Sequence, residues 1–316
     1  MHIGYASKQV GYEFRLLAIC LLMTGGLGCV SIKHVAVNKL GDALAGGGTI
    51  FSSDDDPELV KTAAPFSLKL MESLLAESPN HRGLLLAASS GFAQYAYAFV
   101  QQDAEEVEGH DVAASLRMRQ RARGLYLRAR DYALRGLECA HPDFTNALRV
   151  DASIAVKKLK KSDLPLAYWA AASWAGATAI IKDNADLISD LPLIQALIDR
   201  ALELDDGYDQ GAIHSFLISY EMSRPLGEKE RLARARGHFE QAVRLSRGKQ
   251  AAPYLNLAES VSVPQQDRKE FEFLLHQALA IDANAEPGCR LANLVMKRRA
   301  RWLLSQEDNL IETPSQ

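Results

Sequence analysis

The chain has 316 residues, 48% of them hydrophobic, and its 36 Lys and Arg against 39 Asp and Glu give a net charge of −3. This apolar content is enough to bury a core, which excludes general disorder, and the near-neutral charge gives no reason to expect a nucleic-acid partner. The four cysteines are too few and too scattered for a disulfide framework or a structural metal site; they are Cys20, Cys29, Cys139 and Cys289.

The N-terminus has the residue order of a secretory signal. Lys8 and Arg15 precede an apolar run over residues 16–23, and small residues follow. The segment Leu27-Gly28-Cys29 resembles a bacterial lipobox, although Gly26 stands three positions before the cysteine, where leucine is usual. The alternative is a buried first helix that contains a chance cysteine.

These signals divide the chain into three parts. We predict a signal peptide over residues 1–28, a helical domain over 29–305 and a flexible tail over 306–316. Cys29 is then the lipidated first residue of the mature protein, and its acyl chains hold the domain at a membrane.

Downstream of Cys29 the apolar residues recur at helical spacing almost throughout, and no segment shows the alternation of a strand. Asp54-Asp55-Asp56 before Pro57 is typical of a helix cap rather than a calcium loop, and Gly46-Gly47-Gly48 of a helix stop. The predicted helices, about eleven or twelve, cover residues 34–45, 57–76, 84–102, 112–140, 145–159, 164–182, 191–204, 210–222, 228–245, 253–261, 268–281 and 287–305.

Several helices carry small or apolar residues at the four-then-three spacing of the second helix of a tetratricopeptide repeat. The best matches are Ala235, Phe239 and Ala242; Phe271, Leu275 and Ala278; and Ile194, Ile198 and Ala201. The spacing between units is irregular, so insertions must intervene. We predict an all-α fold, a degenerate tetratricopeptide-repeat-like helical array or α-solenoid whose concave face serves binding; an unrelated helical bundle is the alternative.

Two stretches, 84–102 and 164–181, contain no charged residue and are long enough to raise a membrane-spanning interpretation. Their Ser, Gly, Gln, Thr and Ala content favours fully surrounded helices instead. Aromatic and polar residues on these and a later helix form a candidate ligand pocket, although core packing is the commoner role of such residues. The candidates are Tyr95, Trp169, Trp174, His214, Tyr220 and Glu221.

Catalytic motifs are not found in the sequence: it has no HExxH, no GxSxG and no cysteine nucleophile with histidine support. We predict a protein that is not an enzyme and has no cofactor and no metal. The acidic segment 103–111 and the seven arginines between 117 and 135 read as solvated or internally paired helix surface. Cys139 and Cys289 are expected to remain unpaired.

Five blocks of the chain resemble the TRAP transporter T-component family: residues 36–45, 51–60, 70–79, 94–100 and 216–221. The resemblance implies a lipid-anchored periplasmic protein of degenerate tetratricopeptide repeats that associates with the solute-binding component of a tripartite ATP-independent periplasmic transporter. It also implies a homotrimer and a channel or groove that receives a hydrophobic or organic-acid ligand. We expect the anchor in the outer rather than the inner membrane.

Three functions compete. The first is an accessory binding and docking protein for periplasmic solute uptake, which engages the solute-binding protein and holds or transfers its solute. The second is a structural lipoprotein scaffold for envelope assembly without a small-molecule site. The third, a hydrolase of envelope material, needs convergent ionisable residues in a cleft, and the charge-free helices argue against it.

Overall fold

The computed structural model describes residues 32–46, 48–180 and 189–312, and this part is an all-α array. It contains 15 helices and no strand, with 81% of the residues helical. The helices are α1 (Ile32–Gly46), α2 (Gly48–Ser52), α3 (Pro57–Glu77), α4 (Arg82–Val107), α5 (Val112–Glu138), α6 (Phe144–Val150), α7 (Ala152–Lys157), α8 (Leu164–Ile180), α9 (Leu191–Leu204), α10 (Tyr208–Glu221), α11 (Glu228–Leu245), α12 (Ala252–Leu257), α13 (Arg268–Ala280), α14 (Arg290–Ser305) and α15 (Glu307–Leu310). The predicted fold class is confirmed, whereas Cys29 and its predicted lipidation lie outside the described residues.

Helix starts follow the predicted capping chemistry. The Asp56 carboxylate accepts the backbone N–H groups of Glu58 and Leu59, and Pro57 occupies the first turn of α3. Asp54 Oδ1 accepts the backbone N–H of Asp56. The aspartate run is therefore a cap, because its side chains are engaged with free amides of the helix start.

The number of helices exceeds the predicted eleven or twelve because short breaks divide some predicted segments. The segment predicted over 145–159 is two helices, α6 and α7, since Asp151 ends the first and caps the second by accepting the Ile154 N–H. Short helices α2 and α15 were not predicted at all. A five- or four-residue helix has too few apolar positions to show a period.

Three hydrophobic clusters follow one another along the array. The first joins α3, α4 and α5, the second joins α5 to α10, and the third joins α10 to α14. Because α5 and α10 each contribute to two clusters, the core is continuous. Helix α14 also packs against α2 and α3, so the last part of the array contacts the first.

The charge-free helix α8 packs against α4, α5 and α9, and most of its residues are buried. Among the described residues, α4 alone is long and apolar enough to cross a membrane, and half of its most apolar stretch is buried inside the protein. The predicted buried helix is confirmed for α8. For α4, its packing on α3 and α5 accounts for its apolar face.

The repeat-like positions lie where close packing needs them. Four of them are almost fully buried in the third cluster: Ala235, Ala242, Phe271 and Ala278. Three more are fully buried in the second cluster: Ile194, Ile198 and Ala201. Small and apolar side chains at this spacing let neighbouring helices approach. The tetratricopeptide assignment itself stays a prediction.

The prediction that a flexible C-terminal tail begins at residue 306 is wrong. Residues 307–310 form α15, and Ile311, 1% exposed, packs into the third cluster. The Arg268 guanidinium and the Gln266 amide donate to carbonyls of this segment. Two acidic residues and an asparagine followed by two apolar residues show no helical period, so the packing was invisible in the sequence.

Candidate functional site

The six residues predicted to line a pocket lie in different parts of the array. Tyr95 and Trp169 are half-buried and pack beside the first cluster, while Trp174 is fully buried in the second. His214, Tyr220 and Glu221 lie together on α10. The structure thus brings three of the six into one neighbourhood, and their binding role stays a prediction.

Trp174 lies between two cations. The guanidinium carbons of Arg130 and Arg149 are 4.9 and 5.8 Å from its ring centroid. Cation–π attraction is strong for a desolvated tryptophan ring. Trp174 therefore connects α5, α6 and α8 as a core residue.

On α10, Glu221 belongs to a buried ion-pair group. Its carboxylate, 2% exposed, lies 2.7 Å from Arg224 Nε, and Arg224 also donates two hydrogen bonds to Asp199. Burial raises the pKa of Glu221, and the charge of Arg224 opposes that rise. The group joins α10 to α9.

A histidine pair lies beside this group. Nδ1 of His214 and Nδ1 of His238 are 2.9 Å apart, so one donates and the other accepts. Burial lowers the pKa of both rings, and burial together with the charges of His214, Arg224 and Arg234 lowers that of His238 to about 4. Both imidazoles are therefore neutral near pH 7.

A polar cavity of about 230 Å³ lies between α4, α12 and α14. Two of its walls are π-helical: α4 changes to π geometry over Ala96–Gln101, and α12 continues into a π segment over Ala258–Ser262. A π segment inserts a residue into a helix and often marks a functional site. The cavity is lined by Tyr97, Gln101, Gln102, Glu105, Glu259, Ser260 and Arg299.

Arg299 is the central charge of this cavity. Its Nη2 atom lies 2.5 Å from Glu105 Oε2 and 2.5 Å from Glu259 Oε1, so one guanidinium joins α4 to α12. Burial raises the pKa of Glu259, and Arg299 opposes that rise. Although protein surrounds Glu259, a quarter of its side chain is open, because that part borders the cavity.

Two polar groups of the lining have no hydrogen-bond partner in the described part of the chain. They are the Gln102 amide, on a residue only 1% exposed, and Nη1 of Arg299. Burial raises the pKa of Tyr97, and the Gln102 amide, which is near the Tyr97 hydroxyl without the geometry of a hydrogen bond, opposes that rise. A native fold retains such unsatisfied buried groups at a cost, which makes them candidates for ligand contacts.

A second set of ion pairs is made by residues next in sequence to those that line the cavity. Arg298 donates to Asp103 and Glu106, and Lys61 lies 2.7 Å from Asp103. These pairs tie α3 and α4 to α14. The interpretation of the acidic segment as solvated or locally paired surface is wrong for Asp103, Glu105 and Glu106, since each pairs with Arg298 or Arg299 near the end of the chain.

A larger, open groove of about 440 Å³ runs along α5, lined by residues of that one helix. Its polar side chains already have partners: Tyr132 and Arg128 contact Glu72, and Arg135 donates to the Pro79 carbonyl. The smaller cavity, with buried polar groups left open, is therefore the better candidate site.

Comparison with known proteins gives two matches. Residues 53–311 match the family model described as TRAP transporter T-component. A protein of Treponema pallidum (strain Nichols), itself described as an uncharacterized protein, is 29% identical over 304 residues, which cover 90% of this chain and 93% of the relative. The family match spans the cavity and the ion-pair group on α10.

Proposed function

Because the chain belongs to the TRAP transporter T-component family, we propose that it docks on the solute-binding component of such a transporter and holds or transfers its solute. The protein acts in the periplasm, where lipidated Cys29 anchors it to the outer membrane. It assembles as a homotrimer. It performs no catalysis.

The observation that carries this proposal is the polar cavity between α4, α12 and α14. Its lining combines an arginine, two carboxylates and an unpaired amide within about 230 Å³. Ligand sites use a few such directing groups in a preformed concavity. A scaffold without a small-molecule site, the alternative function, has no use for buried polar groups that lack partners.

A binding experiment tests the docking role. A soluble form starting at residue 30 is titrated calorimetrically with the solute-binding protein of the same transporter, with and without a periplasmic solute extract. We expect association whose affinity changes with solute. The absence of association under every condition would favour the envelope scaffold.

A further inference from the structure

The charge of the cavity restricts its ligand. Arg299 supplies one positive charge, and Glu105 and Glu259 supply two negative ones within ion-pair distance of it. A solute that carries only an anionic group would approach two carboxylates whose single counter-charge is already shared. Repulsion at short range in a low-dielectric site is strong, so a simple organic anion is a poor fit.

The unpaired hydrogen-bond donors of the cavity also restrict the chemistry of the ligand, which must supply an acceptor. Nη1 of Arg299 and the amide nitrogen of Gln102 have no acceptor among the residues that the structure describes. An apolar solute or a simple cation would offer neither donor an acceptor. A buried donor without an acceptor carries its full desolvation penalty.

One ligand chemistry satisfies both sides. We propose that the cavity binds a small zwitterion of the α-amino acid class, whose carboxylate accepts from Arg299 Nη1 and Gln102 and whose ammonium donates to Glu105 and Glu259. The volume of about 230 Å³ corresponds to roughly eight waters at ~30 Å³ each, which suits a solute of this size.

This inference rests on the proposed function and names its solute class. That class differs from the hydrophobic or organic-acid ligand that the family resemblance implies. The difference comes from this chain's own lining, in which charged and amide side chains predominate.

The test compares the binding of amino acids with the binding of analogues that lack either the amino group or the carboxylate. The soluble form starting at residue 30 is screened against the twenty common L-amino acids by thermal shift, and each hit is measured by calorimetry. Its deaminated carboxylate and its decarboxylated amine are titrated in parallel; for L-glutamine these are 4-carbamoylbutanoate and 4-aminobutanamide. We expect at least one amino acid to bind at least tenfold more tightly than either its deaminated carboxylate or its decarboxylated amine. A carboxylate that binds as well as its parent, or no binding by any of the twenty, overturns the proposal.

Variants locate the site. Gln102→Leu removes an amide that has no partner, so the fold should persist while amino-acid affinity falls at least tenfold. Arg299→Gln should lose binding too, and Arg301→Gln, an exposed position on the same helix, should bind like the wild type. Unchanged affinity in Gln102→Leu would place the ligand elsewhere.

Association with the solute-binding protein is measured on the same samples. If the protein binds the solute-binding protein but no amino acid, only the proposed solute class is refuted. If it binds an amino acid but not the solute-binding protein, the docking role is refuted.

Discussion

Tyr126 packs its ring against Gly176, so closely that a methyl group at position 176 would lie 2.9 Å from a ring carbon. The same tyrosine donates from its hydroxyl to Gln101 Oε1 at 2.8 Å, at the edge of the cavity. The absence of a side chain on α8 thus allows α5 to support a cavity-lining residue on α4.

We expect Gly176→Ala to destabilise the fold by about 1–3 kcal/mol, because the buried ring must move and its hydrogen bond with it. Urea unfolding measures this change. Gly124→Ala is the matched control on α5, since nothing lies within 4 Å of its added methyl. That control should be stabilising by up to about 1 kcal/mol through helix propensity, and an equal effect of both variants would contradict the packing argument.

Gln102→Leu should raise the free energy of unfolding. The amide is buried without a hydrogen bond in the described residues, and an unsatisfied buried polar group costs about 1–3 kcal/mol. The measurement is chemical denaturation without added solute. Gln94→Leu, an exposed position on the same helix, should change stability little; destabilisation by Gln102→Leu would show that the amide is satisfied in solution.

Arg224→Met should destabilise the protein by about 3–5 kcal/mol, since it leaves the buried Glu221 carboxylate with only the half-exposed Arg234, 4.0 Å away, as a counter-charge. Asp199 loses its two hydrogen bonds at the same time. Arg234→Met provides the control, because its half-exposed side chain pairs mainly with Glu230 and such surface pairs contribute under about 1 kcal/mol. Similar losses in the two variants would argue against a special role for the buried pair.

The sequence predicted the helices and the core well because both depend on local periodicity. The cap at Asp56, the buried helix α8 and the repeat-like triplets are all readable from a single stretch of chain. Asp151, which divides α6 from α7, also had a local signal, because aspartate is a preferred N-cap residue.

The cavity had no comparable signal. Its three charged residues, Glu105, Glu259 and Arg299, lie on helices far apart in sequence. Only the packing of α14 against α4 brings them together. The π segments shift register by one residue, which an apolar period does not reveal. Gln101, Gln102 and Glu105 at the end of an apolar helix were the single local clue.

The histidine pair should make stability fall as pH decreases. In the unfolded chain a histidine titrates near pH 6.5, whereas burial keeps the pKa of folded His238 at about 4. Between these values the unfolded state binds more protons, so acidification favours unfolding. The stabilising contribution is therefore fully present above about pH 6.5 and is lost progressively towards pH 4.

Comparison of the wild type with His238→Gln isolates this effect. Glu221 titrates in the opposite sense, because its folded pKa is raised, so the wild-type profile mixes the two contributions. Urea unfolding at pH 7.5 and pH 5 should show the wild type losing about 2 kcal/mol more than His238→Gln, at about 1.4 kcal/mol per pKa unit. His276→Gln, an exposed position on α13, should lose as much as the wild type. Parallel profiles for wild type and His238→Gln would mean that the buried pair is already protonated in the folded protein, contrary to the burial and the nearby positive charges of Arg224 and Arg234 that lower the pKa of His238.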